Sequence, residues 1–503
     1  MNRHDLHVLH LARLVLEART ALSVSTGLSE GTFDTQLVRD ANGLPALPAT
    51  SIAGVLRHLW IDAHGEASAQ ALFGYQDKKA GQTSRLAVSW GALLDSRGRP
   101  AEGLLIGNEG GERLKDPLYE SVLLQADVPV TRDRVRLTHR GAAADRGKFD
   151  RSVLPAGHRF ALELRLWSEN KDDEDWMRLL ALFHHPLFRL GGATRAGLGA
   201  MALVSCHARS FDLRDREESQ AFRALPHGLA DREGLEDITG AAKAHGRHEG
   251  LRQGALRLRA RGFWRIGEGE EPLINRDAQG RPLKAADLLP RIEEAVTWKP
   301  TEDGKRTIRL CLLPGSSLKG ALAHRMAFHY RRLSSAWAEE QTGGPDDARP
   351  AALDALLGAV KNGDEEAAGK GCAGALFIDD TGIEADTGQV ARLMHNAIDR
   401  FTGGVRDRVL YEEESLFGGE IEVRITLDTH RFEKNLKLLG LQDEAETRRI
   451  RDAFRLTLDD LCQGRLALGS RTTTGNGFFD GGLEGELRDW LDGRMETQEE
   501  AAA

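Results

Sequence analysis

Apolar and polar side chains largely alternate from Val8 to Val24 (V-L-H-L-A-R-L-V-L-E-A-R-T-A-L-S-V), the period of a half-buried strand. The pattern then changes to helical spacing over residues 51–64, with Thr50 or Ser51 expected to cap the helix after Pro48. Arg159 to Trp167 returns to period two, Trp176 to His184 reads as a helix, and Ala200 to His207 as a strand. The same succession follows further along: a strand over Ala255 to Trp264, a helix from Ser316 to about Leu333, a strand over Glu420 to Leu427, and a helix from Glu444 to Cys462. Strands and helices in this order predict an α+β chain of two tandem ferredoxin-like (RRM-like) domains with helices on one face of each sheet.

The two halves share more than their pattern. L-P-A-T-S-I-A-G-V-L-R-H at Leu47 to His58 matches L-P-G-S-S-L-K-G-A-L-A-H-R at Leu313 to Arg325, with Pro48 and Pro314, Ser51 and Ser317, Gly54 and Gly320, Leu56 and Leu322, and His58 and His324 all 266 residues apart. Each half ends in a glycine-rich loop, L-G-G-A-T-R-A-G-L-G at Leu190 to Gly199 and L-G-S-R-T-T-T-G-N-G at Leu468 to Gly477, now at an offset of 278. The chain therefore reads as a duplication. Its first domain is expected over residues 1–207, a linker over 208–252, and a second domain over 253–485 with insertions near 282–310 and 334–370. A frayed tail is expected over 486–503.

With 503 residues and 41% hydrophobic content there is material for two cores, and no stretch approaches the roughly 20 apolar residues of a membrane span. The N-terminus lacks an apolar signal core, and Cys206, Cys311, Cys372 and Cys462 lie far apart with no C-x-x-C pair, so reduced thiols in a cytoplasmic, membrane-free setting are expected. The net charge of −9 argues against a polyanion partner until its distribution is considered. Acids gather at Glu169 to Asp175, Asp364 to Glu366 and Glu496 to Glu500, while arginines cluster at Arg132 to Arg140, Arg257 to Arg265 and Arg400 to Arg408.

Both repeated signals are backbone devices for holding phosphate. A helix start directs free N–H groups and the positive end of the dipole outward, and a glycine loop lets N–H groups approach a ligand with no Cβ between. The candidate contacts are Ser51, Arg57, Ser316, Ser317, Lys319 and Arg325 at the helix starts, with Gly191, Gly192, Arg195, Gly197, Gly469, Arg471 and Gly475 in the loops. Two successive sites for one polyanion are expected; the alternative is that each loop is only a turn. His58 and His324 are expected to pack, and His184 and His185 to close a helix end. G-G-P-D-D at Gly343 to Asp347 is read as a loop, and no Walker phosphate loop, zinc spacing or nucleophile elbow occurs.

On L-P-x-x-S-x-x-G after a first strand, the terminal glycine loop, and H-N-A-I-D-R-F-T-G-G-V at His395 to Val405, the chain resembles the RAMP superfamily of CRISPR-associated proteins, and within it the Cas-seven group of type III effector backbones. The resemblance implies a palm that lines guide RNA, a thumb at His395 to Val405 with Arg400, a weaker first-unit counterpart at Asp133-Arg134, and cleavage of complementary target RNA. Its catalytic acid falls on the loop between first strand and first helix, at Asp34. Aligning Arg39-Asp40 on Arg276-Asp277, 237 apart, sets Glu271 opposite, beside an insertion that puts its cleavage in doubt. The implied cofactor is Mg²⁺ or another divalent cation at Asp34. The implied partners are guide CRISPR RNA, complementary target RNA and other type III subunits. The alternatives are a non-catalytic guide-binding scaffold, a guide-processing endoribonuclease, and a structural duplicated domain.

Overall fold

The computed structural model describes all residues except 1–5, 28–34, 78–79, 139–140, 245–247, 249, 268, 278, 300, 302–305, 337–348, 360–370, 386–388 and 495–503. In the first half, β1 (Val8–Ala18), α1 (Ala49–Phe73), β2 (Leu86–Val88), a hairpin of β3 (Arg134–Leu137) and β4 (Ala143–Phe149), β5 (Arg159–Ser168), α2 (Glu174–Ala181) and β6 (Met201–Asp212) follow in order. The second half runs β7 (Leu251–Ala260), β8 (Ile292–Val296), β9 (Thr307–Leu313), α3 (Gly315–Leu333), β10 (Leu376–Ile378), β11 (Thr381–Glu384), β12 (Val390–His395), β13 (Tyr411–Phe417), β14 (Glu420–Asp428), α4 (Thr429–Leu439), α5 (Glu444–Cys462) and β15 (Phe479–Glu484).

The two main sheets have one topology. The first is ordered β6-β1-β5-β2 and the second β15-β7-β14-β10, every pair antiparallel. This is the last-first-third-second order of a ferredoxin-like fold, so the chain is an α+β tandem of two such units. Their registers also agree. Ala18 sits opposite Met201 as Ala260 sits opposite Phe479, and Leu86 faces Leu166 as Leu376 faces Leu427.

Helices cover one face of each sheet. In α1 the buried residues Ile52, Leu56, Leu59 and Trp60 recur at one helical stripe, and in α3 Leu318, Leu322 and Met326 do the same. Along β14, Ile421, Val423, Ile425 and Leu427 point into the core while Glu422 and Arg424 face outward. Each such fully buried aliphatic side chain contributes about 1.5–3 kcal/mol relative to exposure.

Several expectations are corrected. The first strand ends at Ala18, and helix α1 runs to Phe73 across a kink at Gly65, whose φ is 81°. Neither helix start uses a Ser or Thr cap: the residues preceding α1 and α3 are Pro48 and Pro314, with no side-chain capping bond. The segment 208–252 is not a plain linker. It prolongs β6 to Asp212, and Glu236–Asp237 then adds an edge strand to the first sheet. It also covers the sheet's outer face, where Leu225 packs with Leu11 and Phe211. Arg13 is buried there against Glu163 at 3.0 Å and donates to the carbonyls of Pro226 and Asp231. The insertion near 282–310 is ordered as the β8–β9 hairpin, joined by β11 in a small sheet of its own. Of the expected tail, Glu486–Leu491 is a helix with Leu487 and Leu491 buried, because those two side chains complete the second core.

Candidate nucleic-acid interface

The loops that follow the first strand of each unit contain one repeated turn. Asp40 accepts backbone N–H bonds from Asn42 and Leu44 at 2.8 and 2.9 Å, and Arg39 donates to the carbonyl of Gly43. In the second unit Asp277 accepts from Gln279 and Arg281 at 2.9 and 2.8 Å, and Arg276 donates to Gly280. Glycine is required at Gly43 and Gly280, where φ is 81° and 78°. The alignment that pairs these turns is therefore physical. Asp34 lies outside the described residues. Glu271 is exposed, and the cation facing it is the Arg309 guanidinium at 3.3 Å. A divalent ion does not fit there without displacing Arg309. Among the described residues no group of three or more His, Cys, Asp or Glu side chains is placed to hold a metal.

The two glycine loops have the same backbone. Gly191 and Gly469, Gly197 and Gly475, and Gly199 and Gly477 all have positive φ, and so do Ala193 (55°) and Arg471 (57°). Leu190 donates to the carbonyl of Gly199 at 2.9 Å as Leu468 does to that of Gly477 at 2.8 Å. Their surroundings differ. The first loop is seated on the second unit: the amide of Asp380 donates to the carbonyl of Gly197 at 3.1 Å, Arg195 Nε donates to Gly374 O at 2.6 Å, and Lys319 Nζ donates to the carbonyls of Arg195 and Leu376. The Arg195 guanidinium lies over the Phe377 ring, 4.9 Å from its centroid. The helix start that was expected to hold a phosphate instead holds a carboxylate: Gly315 N–H donates to Asp380 Oδ1 at 2.7 Å.

Buried charges extend this seam. Asp379 is clamped by Arg19 at 2.8 Å and Arg189 at 2.6 Å. Arg132 pairs with Glu293 at 2.8 Å and Asp380 at 3.3 Å, and all three side chains are nearly inaccessible. Away from the charges, Val296 N–H donates to Ala156 O and the Trp298 indole to Gly157 O. Burial brings the Lys319 ammonium down to about 7. Burial also pushes the Asp380 carboxyl up, against the opposing pull of Arg132 and the Gly315 amide. Arg19, Arg132, Glu293, Asp379 and Asp380 line a cavity of about 320 Å³. The two loops are thus one joint and one open surface, and not two successive sites of equal exposure.

The remaining candidate residues are dispersed. Arg57 pairs with Glu66 at 2.6 Å, Arg325 with Asp460 at 2.5 Å, and Arg471 donates to the Tyr411 hydroxyl at 2.6 Å. Arg134 starts β3 and donates to Ala196 O, whereas Arg400 lies exposed between β12 and β13, so the two arginines are not equivalent. Gly191 and Gly469 fit tightly, since a Cβ on either would lie 2.4 and 2.3 Å from a backbone oxygen, while a Cβ on Gly192 would meet the Arg151 guanidinium. Ser51 and Ser316 are half-buried and Ser317 is exposed. His58 and His324 are both exposed, because their stripe of the helix faces solvent, which overturns packing as their role. His184 does join a neighbouring segment, at 3.2 Å from Thr239 O. G-G-P-D-D falls outside the described residues.

At the second hairpin, Asp399 accepts N–H bonds from Phe401 and Thr402, and Ile398 bridges Val405. This tight turn leaves Phe401 83% exposed with the Arg400 guanidinium 4.7 Å from its ring centre. Asp379, Asp380, Arg19 and Arg189 were not singled out by sequence; registering L-F-I-D-D at Leu376 to Asp380 on β2 is the signal that marks the two acids, and nothing in the sequence joins the arginines to them.

No helix among the described residues is long and apolar enough to cross a membrane. No curated protein matches the chain. Among solved structures, a chain of the cryo-EM structure of the Type III-B Cmr-beta bound to cognate target RNA is similar at 13% identity with a TM-score of 0.27, over 41% of this chain and 62% of that chain. A family model described as RAMP superfamily matches residues 15–202 and 301–480, one stretch in each ferredoxin-like unit and more than half of the sequence. The chain belongs to the RAMP superfamily.

Proposed function

We propose that this chain is a two-unit backbone subunit of a type III CRISPR effector, which binds guide RNA along both units and cleaves complementary target RNA beside the first. The observation that carries the reading is the matched register of the two palms, joined head to tail, each with its Arg-Asp turn and its projecting hairpin. Protein contacts to phosphates and 2′-hydroxyls suit a strand whose bases are read by pairing. The exposed Phe401 with Arg400 beside it suits stacking against an unpaired nucleotide.

At Asp34 the reaction is a transesterification. The 2′-hydroxyl attacks the neighbouring phosphorus, a P–O bond to the 5′ oxygen breaks, and a 2′,3′-cyclic phosphate and a free 5′-hydroxyl result. Asp34 either takes the proton from the attacking hydroxyl or holds the cation, and a water molecule protonates the departing 5′ oxygen. Mg²⁺ or another divalent cation, held by Asp34 with phosphate oxygens and water, would supply neutralisation of the developing charge. For the second unit a scaffold role is favoured by one observation, the pairing of Glu271 with Arg309.

The test is to incubate the assembled complex with complementary RNA and Mg²⁺ and to map the cuts for the native chain, Asp34→Ala and Glu271→Ala. The expected result is a cut slowed by about 10²–10⁴ in Asp34→Ala and unchanged in Glu271→Ala. A cut indifferent to Asp34 removes the site, and a cut lost only in Glu271→Ala moves it to the second unit.

A further inference from the structure

The strands of the second hairpin bring an imidazole, a phenol and a guanidinium to one place. His395 ends β12 directly opposite Tyr411, the first residue of β13, with their ring centres 5.1 Å apart. Two residues on, Glu413 shares the face of Tyr411 and is fully buried, and its Oε1 accepts from the Ser415 hydroxyl at 2.7 Å. Arg471 reaches in from the second glycine loop: Nη1 donates to the Tyr411 hydroxyl at 2.6 Å and Nε to Thr474 Oγ1 at 3.3 Å. Glu412 pairs with Arg392, and Glu414 accepts from the amides of Leu273 and Ile274, both on the opposite face. Of these three acids only Glu413 lies beneath the cluster.

The donors of this cluster are not used up within it. Glu413 Oε2 lies 3.6 Å from His395 Nε2 and 3.7 Å from Arg471 Nη1 and hydrogen-bonds neither. Among the described residues nothing accepts from Arg471 Nη2. The Tyr411 oxygen accepts from Arg471, which leaves its own proton to give. The His395 and Arg471 side chains are 20% and 25% exposed while Glu413 is covered, so a ligand arriving from solvent meets donors and no carboxylate. Such a mouth selects an anion, and a guanidinium fork with a hydroxyl beside it matches the oxygens of a phosphate. The first loop has Ala193 where the second has Arg471, with φ of 55° and 57°, so the turn is common to both and the cation is not.

We propose that Arg471, Tyr411 and His395 seat a single phosphodiester group of an RNA strand at the foot of the second hairpin, and that the first glycine loop seats none. The one cation of the first loop, Arg195, is spent on Gly374 O and the Phe377 ring, so that loop has no free fork to offer. The proposal rests on the reading of the chain as an RNA-binding backbone subunit and goes beyond it in naming one seat where the repeat implies two. It is independent of cleavage at Asp34.

The test is fluorescence anisotropy of a labelled single-stranded oligouridylate with the full chain across a salt series, for the native sequence, Arg471→Gln, Tyr411→Phe and Arg195→Gln. Arg471→Gln is expected to weaken binding by about 10-fold and to lower the slope of log affinity against log salt by about 0.7, the value for one phosphate contact on a single strand. Tyr411→Phe loses a neutral donor and is expected to weaken binding with the slope kept, while Arg195→Gln changes neither. An unchanged slope in Arg471→Gln overturns the seat, and so does an equal fall in Arg195→Gln. Should Arg471→Gln fail to give a cooperative melt, Arg471→Lys replaces it: weaker binding at an unchanged slope is expected, and native affinity overturns the seat. A native chain without salt-dependent affinity overturns the backbone reading itself, whereas native binding with Arg471 and Tyr411 indifferent overturns the seat alone.

Discussion

The glycine loops at Leu190–Gly199 and Leu468–Gly477 share their backbone dihedrals and their closing hydrogen bonds, yet one is seated on the other unit through a buried Gly197 and the other is open at Gly475. The difference lies in what faces them. A Cβ on Gly197 would fall 1.6 Å from Asp380 Oδ1, whereas a Cβ on Gly475 meets nothing within 4 Å. One backbone turn has thus been put to two uses, and what faces it decides between them. A motif that looks like a phosphate cradle becomes a socket once a carboxylate of the same chain sits at the helix start.

The largest expected effect comes from removing the clamp. Asp379→Ala leaves Arg189 buried without its acid and takes the partner from the more exposed Arg19, and urea unfolding should show a loss of about 3–5 kcal/mol. Gly197→Ala adds a steric clash to a φ of 114°, with about 3 kcal/mol lost, while Gly475→Ala carries only backbone strain of about 1–2 kcal/mol. Equal losses from the two glycine substitutions would contradict the contrast between the loops.

A smaller effect follows from Lys319. Its ammonium is brought down to about 7 from 10.5, so below pH 7 the buried charge carries its full cost. Between about pH 7 and 10 the folded chain has lost a proton that the unfolded chain keeps. Stability therefore rises with pH across that window, by at most about 1.4 kcal/mol per unit. Melts from pH 7 to 9.5 should show the rise, and Lys319→Met should flatten it. The smallest effect belongs to the exposed pair of Glu271 and Arg309, where Glu271→Gln should move stability by less than about 0.5 kcal/mol.

How much of this was legible depends on how local the cause is. The alternation from Val8 and the helix that carries Ile52, Leu56 and Leu59 are each written within a dozen residues and were readable, while Arg39-Asp40 and Arg276-Asp277 were paired in the sequence as an alignment only, their turns emerging with the structure. The Pro48 and Pro314 starts were placed correctly, but their caps were not, because the proline itself occupies the position expected for serine or threonine. The segment 208–252 was misread because its composition is polar, while its few apolar residues, Phe211, Leu225 and Ala242, are the ones that pack. The clamp on Asp379 was invisible because Arg19 is 360 residues away and only the fold joins them.

The most direct test is hydrogen exchange of the full chain, followed in peptides covering 190–199 and 468–477. The account predicts slow exchange in the first loop and fast exchange at Thr473 to Asn476 in the second, with Asp379→Ala accelerating the first alone. Equal rates in the native chain, or acceleration confined to the second loop, would contradict it.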